Sequence, residues 1–118
     1  MILLPYPVSA NRYWRTFRNR TVRSAEATKY RKEAQLAFLL AGSKKIDGPV
    51  RVAIKFHPRA NKDGGASKSR LDIDNVIKVT LDALNGLAYD DDKQVVAVSA
   101  ELSTPIPCGG LTVTMEAA

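Results

Sequence analysis

The chain is expected to fold as an α+β protein, as a single domain over residues 1–118. Two segments have the 3.6-residue spacing of apolar side chains that amphipathic helices show, and four have the composition or alternation of strands. In chain order these elements read β-α-β-α-β-β. Because the last two strands are consecutive, we expect them to form a hairpin. The sequence therefore predicts a mixed sheet with both helices packed on it.

The first third of the chain contains a strand, a basic segment and a helix. A short strand within residues 1–7 ends at prolines. Residues 8–23 mix five arginines with aromatic side chains without a regular period, so we predict an ordered loop there. Ser24 is a typical N-cap, and the following residues are rich in helix formers with apolar side chains along one face. Gly42 is expected to end this helix.

The rest of the chain contains the second helix and three strands. Residues 50–57 alternate between apolar and polar side chains, as in a strand with one buried face. A polar loop separates this strand from a helix predicted from Asp74 to about Leu87. An acidic turn follows the helix, and residues 94–103 and 111–117 are predicted as the last two strands.

Composition narrows the possible functions. The chain is 45% hydrophobic and 25% charged, which is typical of a globular domain, and no apolar run is long enough to span a bilayer. The N-terminus lacks the basic region of a secretory signal peptide. Cys108 is the only cysteine, so no internal disulfide can form, and we expect a reducing compartment such as the cytoplasm.

Positive charge is concentrated in the first 45 residues, which contain ten Lys/Arg and two Glu, within a chain of formal net charge +6. Such a basic surface suits a polyanion, because each neutralised phosphate releases counterions. The aromatic residues Tyr13, Trp14 and Phe17 either stack on unpaired bases or pack in the core. The predicted DNA contacts are Arg12, Arg15, Arg18, Arg20, Arg23, Lys68 and Arg70.

Acidic residues surround the second predicted helix. Asp72 and Asp74 lie at its start, and alternation in an extended segment would point both side chains the same way. Lys78 lies one turn beyond Asp74 on the same face, and the acidic triplet 90–92 follows the helix. Carboxylates that meet in space suit Mg²⁺ or Mn²⁺, which could polarise a phosphoryl oxygen while the lysine stabilises developing charge.

Each of these acids also has an ordinary structural explanation. Asp74 alone is commonly an N-cap, and with Lys78 and Asp82 it commonly forms a solvated ion-pair stripe. Nucleophilic catalysis has little support, because His57 is the only histidine and Cys108 has no local partner. The spacing by itself leaves two functions open: phosphodiester hydrolysis assisted by a metal, and nucleic-acid binding without catalysis.

Three stretches of the chain resemble the RusA family of Holliday-junction resolvases. They are PVSANRYWR at 7–15, LDIDNVIKVTLDAL at 71–84 and DDKQV at 91–95. The resemblance extends over nearly the whole chain, and these stretches follow the family's order at similar spacing. The resemblance implies a Mg²⁺-dependent homodimer that binds four-way DNA junctions and nicks two opposed strands during recombination and repair.

The resemblance also implies roles for particular residues. The three catalytic, metal-binding aspartates of the family match Asp72, Asp74 and Asp92, its important lysine matches Lys78, and Asp90 is an additional acid. The enzyme would be a bacterial or phage-encoded cytoplasmic endodeoxyribonuclease with no membrane partner. Two alternatives remain: a related nuclease that acts on flaps or forks, and a non-catalytic nucleic-acid-binding module.

Overall fold

The structure, a computed structural model, describes all of residues 1–118 and confirms the α+β class. A 3₁₀ turn at Asp92–Gln94 directly precedes the fifth strand. No helix combines the length and apolar character needed to cross a membrane. In chain order the helices and strands are β1 (Ile2–Leu4), α1 (Ala10–Tyr13), β2 (Trp14–Phe17), β3 (Arg20–Arg23), α2 (Ala25–Leu40), β4 (Val50–His57), α3 (Ile73–Leu84), β5 (Val95–Leu102) and β6 (Gly110–Ala117).

The main sheet has four strands in the spatial order β1-β6-β4-β5. β6 lies antiparallel between β1 and β4, and β4 pairs with β5 in parallel. The predicted mixed sheet is therefore confirmed, but the predicted hairpin of the last two strands is wrong. α3 provides a connection long enough for β5 to pair with β4 in parallel, and the other edge of β4 then accepts β6.

A small second sheet replaces the loop predicted for the basic segment. β2 and β3 form an antiparallel hairpin in which Phe17 lies opposite Arg20. The two turn residues, Arg18 and Asn19, have φ angles of 50° and 61°. Positive φ at both positions is typical of the type I′ turn, whose twist matches that of the paired strands. The loop prediction was wrong because the arginines obscure the strand pattern, and Asn19 is the only turn signal.

The core lies between the helices and one face of the main sheet. Along β4 the side chains of Val50, Val52, Ile54 and Phe56 are buried, while those between them are exposed or half-buried. This strict alternation, together with neighbours on both sides, makes β4 the central strand of the core face.

Both predicted helices are confirmed, with changed boundaries. The Ser24 hydroxyl accepts a hydrogen bond of 3.1 Å from the Ala27 N–H and caps α2 as predicted. α3 begins at Ile73, so Asp72 rather than Asp74 occupies its N-cap position. The buried face of α3 consists of Val76, Val79, Thr80, Ala83 and Leu84.

Candidate active site and nucleic-acid interface

Asp72 and Asp74 lie exposed at the start of α3. Asp72 has the extended backbone of an N-cap, but its side chain makes no capping hydrogen bond, and Asp74 lies in the first helical turn. Neither carboxylate takes part in the five ion pairs of the chain, and the exposed Lys78 takes part in none either. The helix dipole favours acids at this position, so they fit the fold while their oxygens remain available.

Residues without a predicted role hold the start of α3 in place. The Asn75 side chain accepts a hydrogen bond of 2.8 Å from the Ala10 N–H at the beginning of α1. The Leu71 N–H donates to the Tyr6 hydroxyl at 3.3 Å, and the Arg59 guanidinium lies 3.7 Å from the centroid of the Tyr6 ring. The acidic segment is therefore tied to the N-terminal segment. Sequence reasoning noted Asn75 within the motif but had no reason to assign it a partner.

The three consecutive acids after α3 have different surroundings. Asp90 forms an ion pair with Lys45, with 2.9 Å between Oδ1 and Nζ. Asp91 caps the 3₁₀ turn, and the backbone hydrogen bond it accepts there lowers its pKa. Asp92 forms no ion pair; burial raises its pKa, and the nearby carboxylates of Asp91 and Asp82 raise it further. Of the triplet, only Asp92 is engaged neither by a cation nor by a cap.

The two predicted groups of acids lie toward opposite ends of α3. Because α3 connects two parallel strands, it runs back along the sheet and its last turn lies near the start of β5. The negative charge of Asp82 raises the pKa of Asp92, so the two carboxylates are near each other. Asp82 follows Asp74 by eight residues, which is about 12 Å along the helix axis. No three Asp, Glu, His or Cys side chains of the chain are close enough to hold a metal ion. The expected convergence of Asp92 with Asp72 and Asp74 is not present within one chain.

Asp82 is the most highly connected carboxylate of the structure. Arg23 donates two hydrogen bonds to it, of 2.7 and 2.9 Å, Tyr13 donates its hydroxyl, and Arg31 lies at 3.4 Å. Burial alone would raise the pKa of Asp82, but these hydrogen bonds and the two positive charges outweigh burial and lower it. Burial and the hydrogen bond to Asp82 raise the pKa of Tyr13 to about 12. Asp82 thus belongs to no solvated stripe; it fixes the hairpin and α2 to α3.

The predicted DNA contacts fall into two groups. Arg12 forms an ion pair of 2.9 Å with Glu26, and Arg23 one of 2.7 Å with Asp82. Their positive charges are therefore already partly neutralised within the protein. The remaining predicted contacts are exposed and form no ion pair: Arg15, Arg18 and Arg20 on the hairpin, and Lys68 and Arg70 before α3.

Phe17 is the one exposed aromatic side chain of the basic segment. It lies at the end of β2 and is 46% exposed, with the guanidinium carbons of Arg15 and Arg18 at 5.6 and 5.3 Å from its ring centroid. Tyr13 is fully buried, and the half-buried Trp14 packs edge-on against it. Of the three aromatic residues considered for base stacking, Phe17 is therefore the one that solvent and ligands can reach.

An open cleft of about 460 Å³ lies beside the start of α3. Arginine side chains that converge on such a cleft suit phosphate oxygens, which they can bind with two parallel hydrogen bonds. Arg59 was missed by sequence reasoning because nothing in its local pattern separates it from an ordinary surface arginine. The residues that line the cleft include Ser9, Arg12, Arg59, Ser69, Arg70 and Leu71.

His57 has a structural role at the end of β4. Its Nδ1 lies 2.8 Å from the Thr104 carbonyl oxygen, and its Nε2 lies 2.8 Å from the Thr112 hydroxyl. A carbonyl oxygen can only accept, so Nδ1 carries the proton and Nε2 of the neutral ring accepts from Thr112. Both ring nitrogens are therefore occupied in joining β4 to its surroundings.

Comparison with known proteins finds relatives over nearly the whole chain. The sequence profile of the family described as endodeoxyribonuclease RusA matches residues 5–116. A crossover junction endodeoxyribonuclease of Enterobacteria phage 82 is 37% identical over 120 residues, which cover 96% of this chain and 92% of the relative. Crossover junction endodeoxyribonucleases of Escherichia coli K12 and of E. coli O139:H28 are 36% identical over 124 residues and 34% identical over 123 residues, with the same coverage.

Proposed function

The chain belongs to the RusA family of endodeoxyribonucleases, and we propose on this premise that it resolves four-way DNA junctions by paired nicks, as a Mg²⁺-dependent homodimer. The observation that carries the proposal is the start of α3. There, Asp72 and Asp74 are exposed and without a cationic partner, directly beside a cleft lined with arginines. Acids that served only to fold or solubilise the chain would not need this combination.

The donors at the start of α3 fit a hard divalent cation. Mg²⁺ is usually bound by one or two carboxylates and completes its shell with waters and phosphate oxygens. Asp72 and Asp74 supply two such carboxylates, Asp92 is the third acid that the family resemblance assigns, and Mn²⁺ would suit the same oxygens. When bound, the metal would polarise a phosphoryl oxygen and lower the pKa of a coordinated water.

The protein's own residues supply the remaining chemistry. Lys78, one turn beyond Asp74 and without an acidic partner, is placed to stabilise negative charge that develops on the phosphoryl group. Arg59 and Arg70 of the cleft bind the DNA backbone and oppose the repulsion between phosphate and the acids. These contacts position the DNA but do not read its sequence.

The hairpin of β2 and β3 provides the second contact with DNA. Its exposed arginines would bind phosphates of the arms, and Phe17 would stack on a base that the crossover leaves unpaired. Neither interaction reads the sequence, but the phosphate contacts would form on any duplex. Stacking of Phe17 needs an unpaired base, so it is the contact that would favour a junction over a continuous duplex.

The test compares labelled four-way junctions, flaps, forks and linear duplexes at equal concentration with Mg²⁺. We expect symmetric nicks in the junction at a rate well above that of the other substrates, and none with Asp74→Asn. Faster cutting of flaps or forks than of junctions would favour the nuclease that acts on those structures, and equal rates on all substrates would refute selectivity for junctions. Tight junction binding by the unmodified protein without any nicks would favour the non-catalytic binding module.

A further inference from the structure

Tyr6 makes two different contacts at the cleft beside the start of α3. The Arg59 guanidinium lies over its ring, with 3.7 Å between the guanidinium carbon and the ring centroid. The Tyr6 hydroxyl accepts a hydrogen bond of 3.3 Å from the N–H of Leu71, which directly precedes Asp72. One half-buried side chain therefore connects an arginine of the cleft with the backbone next to an exposed acid.

The contact with the Tyr6 ring leaves Arg59 free to bind an anion. The N–H groups of a guanidinium lie in its own plane, so an aromatic ring against its face does not occupy them. Arg59 is exposed and forms no ion pair within the chain. An arginine that is already held against a ring loses less side-chain freedom when it binds a phosphate. The ring thus supports a phosphate contact without competing for it.

The fold leaves space for this contact and fixes the backbone of Arg59. The Arg59 carbonyl accepts a hydrogen bond of 2.8 Å from the Ser67 N–H. A Cβ atom at Gly109 would lie 2.5 Å from Cδ2 of Tyr6 and 3.0 Å from Cγ of Arg59. Any other residue at position 109 would therefore displace one of the two stacked side chains. Gly109 also has a φ of 68°, which glycine adopts without strain.

The hydroxyl of Tyr6 has a role separate from that of the ring. The ring also packs against Phe56, with 5.5 Å between the centroids, and a phenylalanine at position 6 could fill the same space. Packing therefore explains the ring but not the hydroxyl. The contact that the hydroxyl adds is the hydrogen bond from Leu71.

A second hydrogen bond fixes the other side of the acidic segment. The Ala10 N–H donates to the side chain of Asn75 at 2.8 Å. Leu71 and Asn75 flank Asp72 and Asp74 in the sequence. The segment 6–10 therefore holds the backbone on both sides of the two acids, and Tyr6 provides the contact on the side of the cleft.

We propose that Tyr6 is a positioning residue of the nuclease site: its ring holds Arg59 for a phosphate of the DNA backbone, and its hydroxyl holds the backbone next to Asp72. A phosphate bound by Arg59 then has a fixed place relative to the acid. Misplacement of reacting groups by about 1 Å can cost about 100-fold in rate. The inference deepens the proposed function and rests on it, because it concerns the same site.

The first experiment measures hydrogen exchange of the Leu71 amide by NMR, without DNA or metal. Tyr6→Phe keeps the ring and removes the acceptor, so the Leu71 amide should exchange about fivefold faster, as expected for the loss of one hydrogen bond. Tyr89→Phe is the control. It removes a hydroxyl that donates to the Leu81 carbonyl at 2.7 Å, toward the other end of α3, and should leave the Leu71 amide unchanged. Unchanged exchange in Tyr6→Phe, or equal acceleration in both variants, would overturn the positioning role.

The second experiment separates the roles of the ring and the hydroxyl on a labelled four-way junction. Affinity is measured without metal, and the cutting rate with Mg²⁺ at saturating protein. Tyr6→Phe should bind the junction within about twofold of the unmodified chain but cut it about tenfold more slowly. Tyr6→Leu should in addition bind less tightly, because Arg59 loses the ring that holds it. Weaker binding by Tyr6→Phe with an unchanged cutting rate would overturn the assignment.

The two experiments distinguish failure of this inference from failure of the proposed function. Hydrogen exchange is measured without DNA or metal, so its result does not depend on whether the chain cuts junctions. A Leu71 amide that Tyr6→Phe leaves unchanged in a chain that cuts junctions would refute the positioning role alone. Faster exchange in Tyr6→Phe, in a chain that never cuts a junction, would refute the proposed function alone.

Discussion

The aspartates of this chain differ in whether a cation of the protein already neutralises them. Asp82 and Asp90 have arginine or lysine partners, whereas Asp72, Asp74 and Asp92 have none. The sequence predicted the first two unpaired acids from their place before a helix. Within the triplet, the family resemblance assigned Asp92, but the local pattern could not separate it from its neighbours, because the partner of Asp90 is Lys45, 45 residues away. The structure makes the distinction through tertiary contacts.

This difference gives a prediction for the acidic triplet. Asp92→Asn should abolish junction cleavage and leave junction binding unchanged or stronger, because it removes negative charge near DNA. Asp90→Asn is the matched control: it removes the same charge from an acid that already has a partner, and most of the cleavage should remain. Nicking assays and binding assays on one junction measure both effects. If Asp90→Asn abolished cleavage and Asp92→Asn did not, Asp90 would be the third catalytic acid.

Asp82 should contribute stability that depends on pH. Its pKa is lowered in the folded chain, so the contribution is complete above the ordinary carboxyl pKa of about 4 and is lost as the pH falls below it. Asp82→Asn should cost about 2 kcal/mol at neutral pH, because it removes charged hydrogen bonds, and should flatten the loss of stability below about pH 4. Denaturant unfolding at a series of pH values measures this.

The control for Asp82 is the exposed ion pair of Arg12 with Glu26, whose side chains are 69% and 49% exposed. Glu26→Gln should cost at most about 1 kcal/mol, because solvent screens such a pair. If the two substitutions had equal effects, Asp82 would not hold the hairpin and helices together. The same would follow if the stability of the Asp82 variant fell as steeply with acid as that of the unmodified chain.

Thr80 offers a test of packing in α3. It is fully buried, and its hydroxyl has no hydrogen-bond partner. Thr80→Val removes the unsatisfied group at nearly constant volume and should stabilise the chain by about 1 kcal/mol. Thr112→Val should do the opposite, because the Thr112 hydroxyl is bonded to His57. Thermal unfolding measures the stability of both variants. A Thr80→Val variant less stable than the unmodified chain would contradict the prediction, because it would mean that the Thr80 hydroxyl has a hydrogen-bond partner.

The hairpin of β2 and β3 shows why local patterns missed an element. Two-stranded hairpins are marginal by themselves, and this one depends on its base: Ser24 N–H donates to the Tyr13 carbonyl at 2.8 Å, and Arg23 binds Asp82. Those contacts come from α2 and α3, so propensity within residues 8–23 could not reveal them. The sequence did predict the basic character of the segment, which the hairpin presents on exposed strands.

The hairpin arginines should differ in their effect on DNA binding. Arg15→Ala and Arg20→Ala should lower junction affinity and reduce the slope of log affinity against log salt by about 0.9 for each phosphate that the variant no longer neutralises. Arg12→Ala should change the slope less, because Glu26 already neutralises Arg12. Titrations at several salt concentrations measure the slopes. Unchanged slopes for both hairpin variants would place the DNA-binding surface elsewhere.

The arrangement of the chain as a whole could be predicted only in part. Periodicity located both long helices and the main strands, because each buries one face against the core. The order of strands was missed, because pairing depends on which edge of β4 each strand reaches and not on adjacency in the sequence. The meeting of all three acids was also expected, and it is absent within one chain because Asp72 and Asp74 lie at the beginning of α3 whereas Asp92 lies near its end.

We propose that Asp72 and Asp74 hold a metal ion with which this chain cuts DNA. The most direct measurement is the initial rate of junction nicking, with Mg²⁺ and with a chelator, for the unmodified chain and for Asp72→Asn. We expect nicking only with Mg²⁺, and a loss of at least about 100-fold in the variant while it still binds the junction. Nicking in the presence of the chelator, or an undiminished rate for Asp72→Asn, would be inconsistent with a metal held at the start of α3.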